Sequence, residues 1–177
     1  MSHSTLELIM TASGGYVTPD DPGEIGYSNA PPRTSVSDAD GEHLSELAKG
    51  LRCLEIGTGL GVSTEYIART ASQVVTVDND PWVRDRIVPN LPEGVIALFG
   101  HARSAAPFAP FDLVFIDGHH ESAAVAYDIA EARAMLKAGG EIVLHDWKLE
   151  GVHLAAIGSG LTWEVIDTVA GMAVARV

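Results

Sequence analysis

A doubly wound α/β sheet is the fold class this sequence predicts, and three observations predict it. From residue 38 onward, short apolar runs alternate with segments whose apolar residues recur at helical spacing. The run "FDLVFIDG" (111–118) is apolar almost throughout, as a strand buried on both faces must be. The stretch "LEIGTGLG" (54–61) sets Gly57, Gly59 and Gly61 directly after an apolar strand, where something must come close to the backbone.

Each element follows from its own residues. "DADGEHLSELAKG" (38–50) reads as a helix with Leu44, Leu47 and Ala48 on one face, stopped by Gly50. "LRCLEIG" is the first strand, and "VSTEYIARTA" a helix opened by Ser63 and Thr64. "QVVTVDND" is a strand ending in acids, and Pro81 starts the helix "PWVRDRIVPNL". "GVIALFG" and "FDLVFIDG" are the third and fourth strands. In residues 121–138, Val125, Ile129, Ala132 and Leu136 mark a helix. "GGEIVLHD" is the fifth strand and "GVHLAAIG" a short helix. "LTWEVIDTVA" and "GMAVARV" complete seven strands; with only a tight turn between them, they pair antiparallel at one edge. Residues 1–37 differ, being rich in Gly, Pro, Ser and Asp around a short helix at 4–12. They read as an N-terminal extension, either a tail or a lid anchored by Tyr16 and Tyr27, ahead of a domain spanning 38–177.

Composition narrows the function. The 177 residues suit one domain with a sizeable core. The net charge of −13, from 11 Lys and Arg against 24 Asp and Glu without a basic cluster, argues against a nucleic-acid or anionic-membrane partner. No apolar run is long enough to span a bilayer, and the N-terminus lacks a basic signal-peptide region. The single cysteine, Cys53, falls in a buried strand and reads as a core residue. These features predict a cytoplasmic protein.

In such sheets, ligands sit beyond the carboxyl ends of the strands, where the strand order reverses. The five parallel strands end at Gly57, Asp78, Gly100, Asp117 and Asp146, with His101 and His145 beside two of them. A dinucleotide loop needs G-x-G-x-x-G, but here Val62 holds the sixth place. Glu55, just before the loop, is unsuited to a nearby pyrophosphate, and no Lys-Ser/Thr pair follows to make a P-loop. Asp78 ends the second strand about 20 residues after the loop, where a carboxylate takes both ribose hydroxyls.

"LEIGTGLG", "VDND", "DLVFIDGHH" and "GGEIVLHD", in that order, resemble the class I S-adenosylmethionine-dependent methyltransferases over roughly residues 38–177. The likeness is to the small-molecule O-methyltransferase branch with DGxH and HD motifs, similar to cephalosporin-hydroxylase-type and macrolide-sugar O-methyltransferase proteins. It implies a Rossmann-like sheet of order 3-2-1-4-5-7-6 with the last strand antiparallel. It also implies that Gly57, Thr58, Gly59 and Gly61 wall the cofactor, Glu55 helps hold its ammonium, directly or through water, and Ser63 bonds its carboxylate. Asp78 takes the ribose with Asn79 beside it. The acid the family often uses for the adenine amino group is replaced by His101, followed by Ala102.

Asp117 and Asp146 end adjacent strands, and two converging carboxylates suit a divalent cation such as Mg²⁺. The resemblance gives catechol-type relatives such a metal, with Asn after the second acid; here Trp147 stands there and His145 precedes it, so the third ligand stays open. In the alternative, Asp117 holds the cofactor ammonium and no metal binds. His120, where catechol-type relatives place a lysine, is the candidate base, beside His119. Ser122 stands where the branch often has Tyr. The predicted activity is methyl transfer to a hydroxyl of a small molecule, the alternatives being metal-independent transfer or a cofactor-binding protein without transferase activity. The short chain leaves a second subunit, in a homodimer, as one source of pocket walls.

Overall fold

The computed structural model describes residues 8–11, 14–17 and 35–177. A hairpin of β1 (Leu8–Thr11) and β2 (Gly14–Val17) comes first, Leu8 pairing with Val17. Residues 8–11 are therefore strand, not the helix predicted at 4–12, because the Gly14–Val17 segment gives them an antiparallel partner. The rest of the extension, including Tyr27 and most of the predicted lid, lies outside the described residues.

The domain follows as α1 (Asp38–Leu47), β3 (Arg52–Ile56), α2 (Val62–Ala68), β4 (Gln73–Asp78), α3 (Pro81–Arg86), β5 (Ile96–Phe99), β6 (Phe111–Ile116), α4 (Ser122–Met135), β7 (Leu136–Leu144), α5 (Glu150–Gly158), β8 (Glu164–Ile166) and β9 (Met172–Arg176). The sheet order is β5-β4-β3-β6-β7-β9-β8, which is the predicted 3-2-1-4-5-7-6. Strands β3 to β7 are parallel, and β9 runs antiparallel between β7 and the edge strand β8. A 3-10 turn at Ala102–Phe108, which the periodicity did not predict, joins β5 to β6.

Local chemistry sets the ends of these elements. Ser37 caps α1 through a capping box: its hydroxyl accepts from the Asp40 backbone N–H, and Asp40 accepts from the Ser37 backbone. Asp80 caps α3 by accepting from the Trp82 N–H, with Pro81 in the first turn. At the amino ends of the strands, Arg52 reaches the carbonyls of Phe108 and Pro110, and its backbone N–H donates to Asp112. These bonds tie β3 to the chain entering β6.

Both faces of the sheet are covered. On one side Cys53, Leu113, Phe115 and Val143 pack with Leu44 of α1 and Ile67 of α2. On the other, Leu54, Val114, Ile116, Ile142 and Leu144 pack with Val125, Ile129 and Ala132 of α4 and Val152 of α5. Among the described residues, no helix is long and apolar enough to cross a membrane.

Candidate functional site

Strand register brings the site together. Ile56 of β3 pairs with Ile116 of β6, and Ile116 with Leu144 of β7. The ladder continues one residue further: the Asp117 N–H donates to the Ile56 carbonyl and the His145 N–H to that of Ile116. Gly57, Asp117 and His145 therefore stand in one row at the carboxyl ends of the three central strands. Side chains alternate along a strand, so Asp117 and His145 share a face with Glu55, Phe115 and Val143, the face covered by α1.

The glycine loop makes a crevice. Gly57 has φ +99°, and a Cβ there would collide with the Asp117 carbonyl and lie 2.8 Å from the Gly118 Cα. The turn can thus press directly against the β6 loop. Gly59 has φ +51° with nothing within 4 Å of its Cβ position, so its side is open. Asp78 is locked at the edge of this opening: it accepts from the Gly59 N–H (3.0 Å) and the Asp80 N–H (2.8 Å). Burial raises its carboxyl above the usual range, against these backbone donors. Asn79 lies 3.4 Å from His101 Nδ1, so these two predicted neighbours meet beside the crevice. The Ala102 side chain packs into the core, so any cofactor contact it makes comes from its main chain.

Glu55 and Ser63 are placed differently from the prediction. Glu55 is fully buried and accepts from three hydroxyls: Ser63 (2.6 Å), Thr64 (2.5 Å) and Thr76 (2.6 Å). Thr76 spends its one proton on Glu55, so Thr58 is the donor in its 2.7 Å bond to Thr76. Glu55 is satisfied from within the protein, which leaves it no exposed oxygen for direct contact with a ligand ammonium, and the Ser63 proton is committed to Glu55 instead of a ligand carboxylate. The pair braces the loop from behind. Burial, offset in part by the three hydroxyls, pushes Glu55 up to about 7 from its ordinary 4.5. The folded state then holds more protons than the unfolded chain between those values, so this group's contribution to stability falls as pH rises through that window. Glu55→Gln should abolish that loss, gaining on the order of 3 kcal/mol on wild type between pH 5 and pH 8 in urea unfolding. A variant whose stability tracks wild type at both pH values would refute the assignment.

The second half of the site is a chain of acids and imidazoles. Asp117, His120 and Asp146 each offer one ligand atom, all within 4.8 Å of one another. His120 Nε2 lies 2.8 Å from Asp146 Oδ2 and 3.7 Å from Asp117 Oδ1. That buried nitrogen nevertheless has no hydrogen bond of acceptable geometry. The Asp117 and Asp146 carboxylates beside it push His120 up to about 9. The ring is therefore protonated at neutral pH in the protein alone, which counts against its predicted role as a free base. His119 is exposed, which separates the two histidines. Gly151 of α5 lets that helix approach the His120 carbonyl and holds the loop down. Asp146 has φ +53°, a conformation non-glycine residues rarely adopt and one that clusters at functional sites.

His145 backs this cluster. Its Nδ1 lies 3.2 Å from Asp117 Oδ1 and 3.6 Å from Asp146 Oδ1, and its Nε2 is 3.5 Å from Asp40 Oδ2. Burial disfavours the charged ring, but Asp117 and Asp146 outweigh it and push His145 up to about 10. His120 and His145 together hold the Asp146 carboxyl well below the usual range. Asp40 is fully buried. Burial raises its carboxyl, but the Ser37 and Thr168 hydroxyls and His145 more than compensate. Trp147 turns away, edge-on to His153 at 4.8 Å and near Trp163. The third member of the cluster is thus His120, not the residue after Asp146.

Sequence reading missed Asp40. Its signal was available: it lies on α1 beside Gly41 and Leu44, both buried. A charge on a core-facing stripe calls for a partner.

A family model described as a methyltransferase domain matches residues 54–147. Among solved structures, cofactor-bound Rv0187 from MTB is 28% identical, with 82% of this chain and 83% of that chain covered and a TM-score of 0.69. The O-methyltransferase from Bacillus cereus in complex with SAH is 24% identical, covering 82% and 84%, with a TM-score of 0.65. The O-methyltransferase TomG from Streptomyces achromogenes, involved in tomaymycin synthesis and in complex with SAM, is 24% identical, covering 82% of each chain, with a TM-score of 0.62. The comparison with curated proteins finds no match.

Proposed function

The chain belongs to the methyltransferase-domain family, and from that premise we propose that it transfers a methyl group from S-adenosylmethionine to a hydroxyl of a small molecule, with a divalent cation held by Asp117, His120 and Asp146. The observation that carries the reading is the crevice of Gly57, Gly59 and Asp78. Its floor is closed by glycine against backbone, its front is open at Gly59, and its acid is pinned by two main-chain donors. Each Asp78 oxygen accepts one of those bonds and keeps a lone pair for a ribose hydroxyl. Among the described residues no basic side chain is paired with Asp78, as suits a ligand portion without phosphate. The names of the Bacillus cereus and TomG neighbours support oxygen as the acceptor.

S-adenosylmethionine brings a sulfonium-bound methyl group, and the acceptor oxygen must be held in line with it. Asp117 is one residue past the β3–β6 pairing and next to Gly57, so the methyl end of the ligand and the acid cluster are neighbours. The orphaned Nε2 of His120, facing two carboxylates, is the arrangement expected of a ligand set. An imidazole among the donors favours a transition-series dication over Mg²⁺. Bound there, such a cation would lower the pKa of the acceptor hydroxyl and fix its position. His120 cannot both ligate through Nε2 and serve as a base there; its place in the cluster favours ligation. The 2.8 Å approach of His120 to Asp146 also supports a second reading, in which the two form a bare ion pair and transfer is metal-independent. Activity surviving exhaustive chelation would select that second reading.

Calorimetry with S-adenosylhomocysteine tests the cofactor assignment. Wild type should bind it, and Asp78→Ala should weaken binding at least tenfold, since hydrogen bonds to a charged group contribute about 1.5–3 kcal/mol each. Unchanged affinity would remove Asp78 from the ribose role. Labelled methyl transfer to a panel of small hydroxylated compounds tests the reaction itself. S-adenosylhomocysteine binding without transfer to any of them would favour a cofactor-binding protein.

A further inference from the structure

Helix α1 brings a buried acid to the back of the acid–imidazole cluster. Asp40 is fully buried and lies one turn before Leu44, on the side of α1 that packs inward. Two contacts with α2 fix this end of the helix. A Cβ on Gly41 would collide with the Tyr66 ring, and the Tyr66 hydroxyl donates to Asp38 at 2.9 Å. The Asp40 carboxylate closes the capping box: its Oδ2 accepts from the Ser37 hydroxyl at 2.6 Å and from the Ser37 N–H at 3.3 Å. The Thr168 hydroxyl, on the turn between β8 and β9, also faces the carboxylate. Capping alone does not account for this residue. Capping boxes ordinarily use Glu or Gln at this position, and burying a charge is a poor route to stability.

The far side of Asp40 is occupied by His145, whose Nε2 lies 3.5 Å from Asp40 Oδ2. Asp40 Oδ1 and His145 Nε2 are both buried and make no hydrogen bond of acceptable geometry. A leftover carboxylate oxygen beside a leftover ring nitrogen makes a complementary pair, which a small turn of either group joins. At the other end of the ring, Nδ1 lies 3.2 Å from Asp117 Oδ1. Phe115 packs edge-on to the imidazole at 6.2 Å. The ring therefore spans two carboxylates, one from α1 and one from the end of β6, and only the second belongs to the cluster. His120 also approaches Asp117 at Oδ1, at 3.7 Å. With Oδ1 engaged by the two imidazoles, Oδ2 is the Asp117 oxygen left for a cation.

We propose that Asp40 is a positioning residue for the cluster: its carboxylate holds the far end of His145, so that the ring presents Nδ1 to Asp117 and keeps Asp117 turned toward the cation. Asp40 acts through His145 and touches neither cation nor acceptor. The inference rests on the divalent-cation reading above. It gives α1 a part in the site, although Asp40 lies outside residues 54–147, which the family model matches.

The test is Mn²⁺ binding to the full chain at pH 7.5, read by electron paramagnetic resonance of the free ion, in a double-mutant cycle. Asp40→Asn keeps the shape of the side chain and gives up its charge. It should weaken Mn²⁺ binding about tenfold, the scale of a group that orients a ligand from behind. In a His145→Gln background the same substitution should weaken binding less than twofold, because the residue it acts through is gone. Ser37→Ala is the control for the cap: it should lower the thermal midpoint and leave Mn²⁺ affinity within twofold of wild type. Equal Mn²⁺ affinity of Asp40→Asn and wild type would overturn the inference. A tenfold loss that persists in the His145→Gln background would overturn it too, showing Asp40 to act as a distant charge. So would a Ser37→Ala protein that loses as much affinity as Asp40→Asn, which would make Asp40 a helix cap only. A wild type that leaves Mn²⁺ free overturns the cation reading and this inference together, whereas the other failures overturn the inference alone.

Discussion

Gly57→Ala is expected to lower the thermal unfolding midpoint by roughly 5–15 °C and to abolish S-adenosylhomocysteine binding. The new methyl would be driven into the main chain at Asp117 and Gly118, and backbone cannot swing aside as a flexible side chain can. The residue also has φ +99°, which an alanine adopts only under strain. Overpacking and backbone strain together cost about 2–5 kcal/mol, a large part of a domain's usual 5–15 kcal/mol. Relief comes only by parting β3 from β6, which dismantles the crevice. Gly59→Ala is the control. It carries a similar φ penalty, but its Cβ meets nothing within 4 Å and projects toward the opening. It should lose affinity with a midpoint within a few degrees of wild type. Scanning calorimetry and ligand titration on both variants decide the matter. A Gly57→Ala protein that melts with wild type would show that the loop does not press on β6 as described.

The contrast between these glycines shows where the sequence was legible. Three glycines in five positions announced a close approach but did not say that Gly57 meets the protein's own backbone while Gly59 faces open space. The fold was legible because strands buried on both faces are apolar runs and helices repeat at their own period. Boundaries were less so: β8 is only Glu164–Ile166 within the predicted 161–170, and β7 starts at Leu136, inside the predicted helix, because Leu136 pairs with Phe111. Asp78, Asp117 and Asp146 were legible as acids at strand ends. Glu55 and Ser63 were not, because the hydroxyls that enclose Glu55 come from α2 and from β4, up to 21 residues away. Asp40 and Asp128 share one signal, an acid on the core-facing stripe of a helix. Sequence spacing alone could flag both but could not say that one meets an imidazole and the other lies near a second acid, Glu131.

Mn²⁺ titrated against the metal-free protein is expected to fill one site, and Asp117→Asn, Asp146→Asn and His120→Ala should each weaken that binding at least tenfold. The charges explain why. Asp40, Asp117 and Asp146 bring three carboxylates, which two protonated imidazoles, His120 and His145, do not fully neutralise. When His120 gives up its proton to ligate, the cluster becomes net −2 and matches a dication, so binding should release a proton and tighten as pH rises toward 9. His145 keeps its charge in this exchange and holds Asp117 in place through Nδ1, so His145→Gln should weaken binding about tenfold without removing a ligand. Electron paramagnetic resonance of free Mn²⁺ measures all of this in the absence of any methyl acceptor. The same variants should retain S-adenosylhomocysteine affinity within about threefold of wild type, apart from Asp117→Asn, which lies against the crevice. If wild type leaves millimolar Mn²⁺ free, the three groups form an ion-pair cluster and transfer is metal-independent. If it binds Mn²⁺ and His120→Ala binds equally well, the cation sits on the two carboxylates alone and the imidazole regains its candidacy as the base.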